Sequence, residues 1–389
     1  MGLRKKIIRV KWLIFGNLFR LCKINSKKIV IDNFFGRGYG ENARAIIEEL
    51  LKLDSNLDIV WIVNDSVDNS EFPNSIRLVK IDSFRAIYEY ATASIWIDNV
   101  KNNYKGNKRK KQFYLQTWHG GIGFKRVEKE SIDTLDSKYI KESIRDSGLT
   151  DLMISNSDWV TENYRDNFWY NGEIIKTGLP RNDIFFKDNS ASKQKVQKYF
   201  NSDKKIILYA PTFRQYLDIS EQTNLFSLNA KKLVEAAEKN FGAQYILVTR
   251  VHPNIAKDFK ITENGYLKDG SKYPDMQELL VSADILITDF SSSMFDFMLK
   301  SNKIFLFAKD YEDYIKYERK MKFDPKKDLP FPFASDEVGL ISAISTFDEK
   351  DISIKANNFR EKLGICDDGH SAERVAKLLV QVMKGSNLK

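Results

Sequence analysis

The feature that most constrains this chain is the rhythm of its apolar residues. Short apolar runs at residues 28–31, 59–63, 76–79, 95–98, 113–116 and 152–155 are each too brief for a helix, and amphipathic stretches such as 41–53, 83–91 and 157–168 lie between them. The rhythm then resumes, with strands expected at 205–210, 245–250, 284–288 and 303–307 and helices at 230–239, 276–281 and 292–299. Strand alternating with helix predicts parallel sheets covered on both faces. A seam is expected near 188–203, where the segment 188–193 is polar and loop-like, before a fresh strand at Lys205. Ala93-Ser94-Ile95-Trp96-Ile97-Asp98 and Ala283-Asp284-Ile285-Leu286-Ile287-Thr288-Asp289 echo each other across it, without a strict repeat. A chain of 389 residues exceeds what one core usually holds. The economical architecture is two Rossmann-like α/β domains with parallel sheets facing a central cleft. They are expected over 26–195 and 196–389, with a final helix at 371–383 crossing back to the first.

Residues 1–25 form a separate basic, amphipathic segment. Lys5, Lys6, Arg9, Lys11, Arg20 and Lys23 are interleaved with Ile8, Trp12, Leu13, Phe15, Leu18 and Phe19. Ile8, Trp12, Phe15 and Phe19 share one face at helical spacing. Three readings stand: a signal peptide, although no A-x-A-like cleavage site follows; a helix packed on the first domain; or an interfacial membrane anchor. No run reaches the roughly 18 apolar residues of a spanning helix. The only cysteines, Cys22 and Cys366, form no metal or disulfide pattern, which points to a cytoplasmic setting. The net charge of +9 suits an anionic partner without choosing among nucleic acid, membrane and phosphate-rich substrate. The run Lys105-Gly106-Asn107-Lys108-Arg109-Lys110-Lys111 is open to the same choice, or to a plain solvated loop. No nucleic-acid module is visible.

Several chemistries are missing. There is no G-x-x-x-x-G-K-[ST] phosphate loop and no H-E-x-x-H. There is also no D-x-D triplet of the kind that grips Mg²⁺ or Mn²⁺ in nucleotide-sugar transferases, so the expectation is a diphosphate stabilised without metal or other cofactor. Gly36-Arg37-Gly38-Tyr39-Gly40 fails the G-x-G-x-x-G spacing and reads as a tight strand-to-helix turn, with Arg37 available to an anion.

What remains gathers at strand ends. Of the three histidines, His119 and His252 each follow an expected strand and stand beside Gly120 and Pro253, while His370 starts a helix. Ligands bind outside the carboxyl ends of parallel strands, so His119 and His252 are expected to face each other from different halves. Thr288 and Asp289 end a buried strand, and Ser291, Ser292 and Ser293 follow at a helix start. One serine is explained by capping, and three suggest phosphate binding. Arg250, Thr212 and Arg214 also lie just past strands and could neutralise a diphosphate.

Taken together, Thr117-Trp118-His119-Gly120, Ala210-Pro211-Thr212-Phe213-Arg214, Arg250-Val251-His252-Pro253, the stretch from Thr288 to Asp296, and Asp368-Gly369-His370-Ser371-Ala372-Glu373-Arg374 resemble the CDP-glycerol glycerophosphotransferases of teichoic-acid synthesis. The segments 155–159 and 178–183 also fit, so the resemblance covers roughly residues 110–380. It implies a GT-B-like fold and a peripheral enzyme at the cytoplasmic face of a bacterial membrane. That enzyme would pass glycerol phosphate from CDP-glycerol to a polyprenol-diphosphate-linked teichoic-acid or capsule acceptor. It makes His119 the general base. His252 and Arg250 stabilise the diphosphate and the departing CMP, and Ser291 and Ser292 hold donor phosphates. Thr212, Arg214, Ser371, Thr288, Asp289 and Gly120 are further candidate contacts. The family pattern continues Trp-His-Gly with Thr-Pro-Leu-Lys-Lys. Here Gly121-Ile122-Gly123-Phe124-Lys125-Arg126 follows, which leaves the acceptor open. The chain also lacks the long N-terminal extension of the large polymerising members, which favours priming, limited extension or a capsule-type role. The rival readings are ribitol-phosphate transfer from CDP-ribitol, a GT-B glycosyltransferase using a nucleotide sugar, and a non-catalytic basic membrane-binding protein.

Overall fold

Ile29, Val30 and Ile31 are wholly buried, and their side chains alternate between two apolar layers. Ile29 and Ile31 join Ile59, Trp61, Ile95, Ile97 and Leu115 on one face. Val30 joins Val60, Ile62, Trp96 and Tyr114 on the other. Burial on both faces at period two is what makes a short apolar run an interior parallel strand, and each such side chain contributes about 1.5–3 kcal/mol by leaving water.

A computed structural model describes residues 3–65, 67–101, 103–318 and 320–385. It divides into two units: Met1–Gly121, Val127–Asp183 and Ile365–Lys389 form the first, and Ile122–Arg126 and Ile184–Gly364 the second. The division therefore falls at Asp183, earlier than the expected 195. The segment 188–193, expected to be loop-like, instead runs into the helix Ser190–Phe200, which buries Val196 and Phe200. Its lysine-rich outer face hid the pattern. Met1, Gly2 and residues 386–389 of the expected spans lie outside the described residues, as do the side chains of Lys5 and Lys6.

The first unit is built on β1 (Asn25–Asp32), β2 (Asp58–Val63), β3 (Arg77–Lys80), β4 (Ala93–Asp98), β5 (Phe113–Gln116), β6 (Leu152–Ser155) and β7 (Glu173–Lys176). All are parallel, in the order β3-β2-β1-β4-β5-β6-β7. The helices Glu41–Leu53 and Ser371–Met383 cover one face together, with Ile46, Ile47 and Leu50 beside Val375, Ala376 and Leu379. The final helix thus belongs to the first unit. The second unit has β8 (Lys205–Ala210), β9 (Tyr245–Thr249), β10 (Leu267–Asp269), β11 (Ala283–Thr288), β12 (Ile304–Phe307) and β13 (Phe333–Ala334). They too are parallel, in the order β10-β9-β8-β11-β12-β13. In each sheet the strand order reverses at the centre, at β1/β4 and at β8/β11. Those are the switch points where open α/β sheets bind ligands.

The N-terminal helix Leu3–Phe19 is part of the first unit, not an appendage. The face expected to be its apolar side is turned inward: Trp12 is buried against Tyr90 and Tyr104, and Ile8, Phe15 and Phe19 pack on the same layer. Gly106 makes room for it, since a Cβ there would come within 2.8 Å of the Trp12 ring. The basic run that contains Gly106 is largely pinned. Lys105 is buried on Asp98 and Asp146, Lys108 pairs with Asp151, and Arg109 donates to the Cys22 carbonyl, leaving Lys110 and Lys111 exposed. A second apolar row, Ile7, Val10, Leu13, Ile14 and Leu18, faces outward at 48–59% exposure. No helix among the described residues is long and apolar enough to cross a membrane.

Candidate active site

The first unit's switch point is occupied by an unusual loop. Leaving β1, Phe34, Phe35 and Gly36 all take positive φ, at 47°, 60° and 75°. Gly36 is required there, because a Cβ would lie 2.8 Å from the backbone of Val63 and Asn64. The two phenylalanines carry strain of about 1–3 kcal/mol each, a cost that concentrates at functional sites. Asp32 accepts from the Gly36 N–H at 2.8 Å, and Asn99, just past β4, accepts from the Phe34 N–H at 2.9 Å. The Asn99 amide also donates to Asn33 Oδ1 at 2.6 Å.

His119 is docked onto this assembly. Its Nδ1 lies 2.8 Å from the Asn99 main-chain oxygen. A carbonyl only accepts, so Nδ1 carries the proton and Nε2 keeps its lone pair. Trp118, itself at φ 53°, and Phe34 flank the ring with centroids at 4.1 and 5.2 Å. Arg181 donates to the His119 carbonyl at 2.6 Å while paired with Glu41 at 2.7 Å, and Tyr164 donates to the Gly120 carbonyl at 2.9 Å. Burial, followed by the Arg181 charge, pushes His119 down to about 4 against the pull of the Asn99 hydrogen bond. The imidazole is therefore neutral at pH 7. Asp32 and Asp98, which end β1 and β4, are buried with Lys105 and Asp146, and Lys105 pairs with Asp98 and Asp146. Burial and then the Asp98 charge raise Asp32 well above the usual carboxylate range.

The second unit's switch point is braced by charge. Asp289, just past β11, accepts from the Thr212 N–H at 2.9 Å, from the Thr212 hydroxyl, and from the Phe290 N–H at 2.6 Å. Arg214 is buried and pairs with Asp289 at 2.8 Å and Asp310 at 2.6 Å. Burial opposes its charge, but the two carboxylates outweigh that and raise its pKa. Thr288 is wholly buried and donates to the Ala210 carbonyl at 2.7 Å. Thr288, Asp289, Thr212 and Arg214 thus hold two strand ends together, and the Arg214 charge is already offset by two carboxylates.

The other candidates in this unit are half-buried or exposed. Ser291 and Ser293 share a hydroxyl contact at 2.9 Å, and both are half-buried, as is Ser292 at the start of the short helix Ser293–Phe297. The Arg250 N–H bonds the Tyr209 carbonyl of β8 at 2.8 Å, and its guanidinium reaches the carbonyls of Gly270 and Tyr273. Burial lowers its pKa, though an arginine stays charged at neutral pH. His252 is exposed, and its Nδ1 accepts from the Asn254 N–H at 3.2 Å. When neutral, His252 therefore carries its proton on Nε2, the tautomer opposite to that of His119.

Ser371 is placed differently from expectation. It is wholly buried in the first unit, and its N–H and that of Ala372 are taken by the Asp183 carboxylate at 2.9 Å each. The helix start is thus already supplied with an anion from the chain itself. His370 is exposed beside Glu373. Sequence reasoning missed Asn33, Asn99 and Asp310. The first two directly follow strands at the switch point, a usable signal; Asp310 lies 96 positions from Arg214 and carries none. Among the described residues, no group of three or more His, Cys, Asp or Glu side chains is arranged to hold a metal ion.

Two units, each an open parallel sheet with polar groups at its switch point, define a Rossmann-like α/β protein. The chain belongs to the CDP-Glycerol:Poly(glycerophosphate) glycerophosphotransferase family, which it matches over residues 14–381. It is 31% identical over 377 residues to the teichoic acid poly(glycerol phosphate) polymerase of Staphylococcus epidermidis, covering 93% of this chain and 51% of that one. It is 28% identical over 375 residues to the teichoic acid poly(ribitol-phosphate) polymerase of Bacillus spizizenii, covering 94% and 58%. The chain spans about half the length of the curated relatives it first matches. It resembles the solved structure of the wall teichoic acid polymerase TagF with a TM-score of 0.82 at 28% identity, covering 98% of each chain.

Proposed function

We propose that the protein transfers glycerol phosphate from CDP-glycerol to a hydroxyl of a polyprenol-diphosphate-linked acceptor in teichoic-acid-type synthesis. The acceptor oxygen attacks the phosphorus bearing glycerol and forms a new phosphodiester. The bond between that phosphorus and the bridging oxygen breaks, CMP leaves with the electron pair, and the hydroxyl proton goes to His119 Nε2. The observation that carries this reading is the state of His119: neutral, with Nδ1 fixed on the Asn99 carbonyl and Nε2 left as a base. His252 suits the opposite task, since its Nε2–H can donate to a phosphate oxygen or to departing CMP. Arg250 supplies charge, and Ser291 and Ser292 supply hydroxyls. Positioning and charge stabilisation are most of what phosphoryl transfer asks of a protein.

The site of action in this reading is an anionic membrane surface at the cytoplasmic face. The outward apolar row of the N-terminal helix, flanked by Lys11, Arg20 and Lys23, supports it. Glycerol is preferred over ribitol on the family's own description and the higher identity to a glycerol-phosphate polymerase. The test is CMP release from CDP-glycerol and, separately, CDP-ribitol. Turnover of CDP-ribitol alone would change the polyol, and turnover of a nucleotide sugar alone would replace the reaction with glycosyl transfer.

A further inference from the structure

We propose that Asp32 is a positioning residue for His119 and must carry a proton to act as one, so that the base is held in place only while this buried carboxyl is neutral. The proposal rests on the transferase reading above. Asp32 ends β1 and Asp98 ends β4, and the two are register partners on adjacent parallel strands. Both are 1% exposed. Partners in register project to the same side of a sheet, so two carboxyls meet in the interior at the switch point. Hydrogen bonds connect them to the base. Asp32 holds the Gly36 end of the strained loop whose Phe34 ring lies against His119. Asp98 accepts from the Val100 N–H at 2.9 Å and so fixes the turn at Asn99. The Asn99 carbonyl takes the His119 Nδ1 proton, and its side chain takes the Phe34 N–H. The two carboxyls therefore hold the two segments that grip the imidazole.

One lysine serves this interior. Lys105 pairs with Asp98 at 2.5 Å and with Asp146, on the helix Ser137–Leu149, at 3.0 Å, and it donates to the Tyr114 hydroxyl of β5 at 2.7 Å. Its three N–H donors are thereby occupied. Tyr114 and Gln116 also donate to Asp146. Tyr90, on the helix Phe84–Thr92, feels the charges of Asp32, Asp98 and Asp146, and its buried hydroxyl has no hydrogen-bond partner among the described residues. Among the described residues no cation pairs with Asp32. Its partners are neutral: the Gly36 N–H at 2.8 Å and the Asn103 side-chain amide. Where two carboxyls share a buried site, one is driven toward its acid form, and Asp32 is the one without a cation. The Asn103 amide can turn its oxygen to accept that proton. Burial, and then the Asp98 charge, raise Asp32 to about 7, in line with this charge count. Once ionised, Asp32 repels Asp98 across the strand pair and parts the segments that hold the ring.

The test follows kcat for CMP release at saturating CDP-glycerol, from about pH 6 to about pH 9, in wild type and Asp32→Asn. The amide in that variant keeps an acceptor for the Gly36 N–H and a donor for Asn103, and it cannot ionise. Wild-type kcat is expected to fall about tenfold across this range as the ring is misplaced. Asp32→Asn should fall less than about twofold from its own starting rate over the same range. A second readout needs no turnover: the infrared difference between the two pH extremes should show a protonated carboxylic acid in wild type that Asp32→Asn lacks. A merely structural Asp32 would change stability and leave the same alkaline limb in both proteins. That result overturns the proposal, as does a wild type with no alkaline limb or no carboxylic-acid band. An Asp32→Asn protein that fails to fold also overturns it, because the charged form would then be the one required. A wild type that releases no CMP at any pH with a competent acceptor overturns the transferase reading and the role assigned toward His119, while the infrared band still decides whether Asp32 holds the proton.

Discussion

The two units treat their histidines in opposite ways. In the first, His119 is enclosed by Phe34 and Trp118, fixed through Nδ1 on a carbonyl, and neutral far below its ordinary pKa. In the second, His252 is exposed and presents a proton on Nε2, while the buried residue is Arg214, locked between two carboxylates. Rigidity in the first unit fixes one imidazole ring. In the second it fixes the strand ends, while His252 stays exposed. A proton acceptor needs a defined lone pair before substrate arrives, whereas a phosphate clamp can tighten around its ligand.

That contrast can be broken in several ways. Arg214→Ala strands Asp289 and Asp310 without their cation and should cost about 3–5 kcal/mol of stability by thermal or denaturant unfolding; a fully stable variant would remove the brace from the account. His119→Ala and His252→Ala should each keep the fold and lower turnover at least about 100-fold. Near-wild-type rates in both would dismiss the site.

The pH dependence separates the two histidines further. His119 titrates near 4 in the folded protein, against an ordinary 6.5. Its function as a base should persist as pH falls below 6.5 and fail only toward 4. Between those values the unfolded state binds more protons, so stability should fall as pH drops through the same window. A kcat/KM profile with its acid limb at 6.5 would contradict the enclosure of His119.

Asn99→Ala frees Phe34 and Asn33. It should lower kcat about tenfold through misplacement of the ring and shift the acid limb upward, while a purely structural role would move stability but not the limb. Ser371→Ala should be the mildest, within about 0.5 kcal/mol and about twofold in rate, since among the described residues the buried Ser371 hydroxyl has no hydrogen-bond partner to lose. A large rise in KM for CDP-glycerol would restore Ser371 as a donor contact.

The interior of both sheets was legible because parallel strands advertise themselves. The runs at 113–116, 152–155 and 205–210 match β5, β6 and β8 to the residue. The strands that escaped notice, β7, β10 and β13, lie at or next to a sheet edge, and their partly exposed residues lack the two-sided apolar signature. The candidate site was legible at the level of position: His119, Arg250, His252 and the serines do fall past strand ends. What sequence could not separate was presenting groups from bracing ones. Arg214 and Arg250 look alike in the chain, and only the carboxylates of Asp289 and Asp310, brought in from elsewhere, distinguish them. Likewise the sequence left the Trp12 face of the first helix open between packing on the first domain and facing a membrane; Gly106 and Tyr90 pack against it.

The measurement that bears most directly on the central claim is CMP release by purified protein from CDP-glycerol, with a lipid-linked acceptor analogue and EDTA present, for wild type and His119→Ala. The account predicts CMP from the wild type and a loss of at least about 100-fold in the variant. Equal release by a folded His119→Ala protein, or none from a wild type given a competent acceptor, would contradict it.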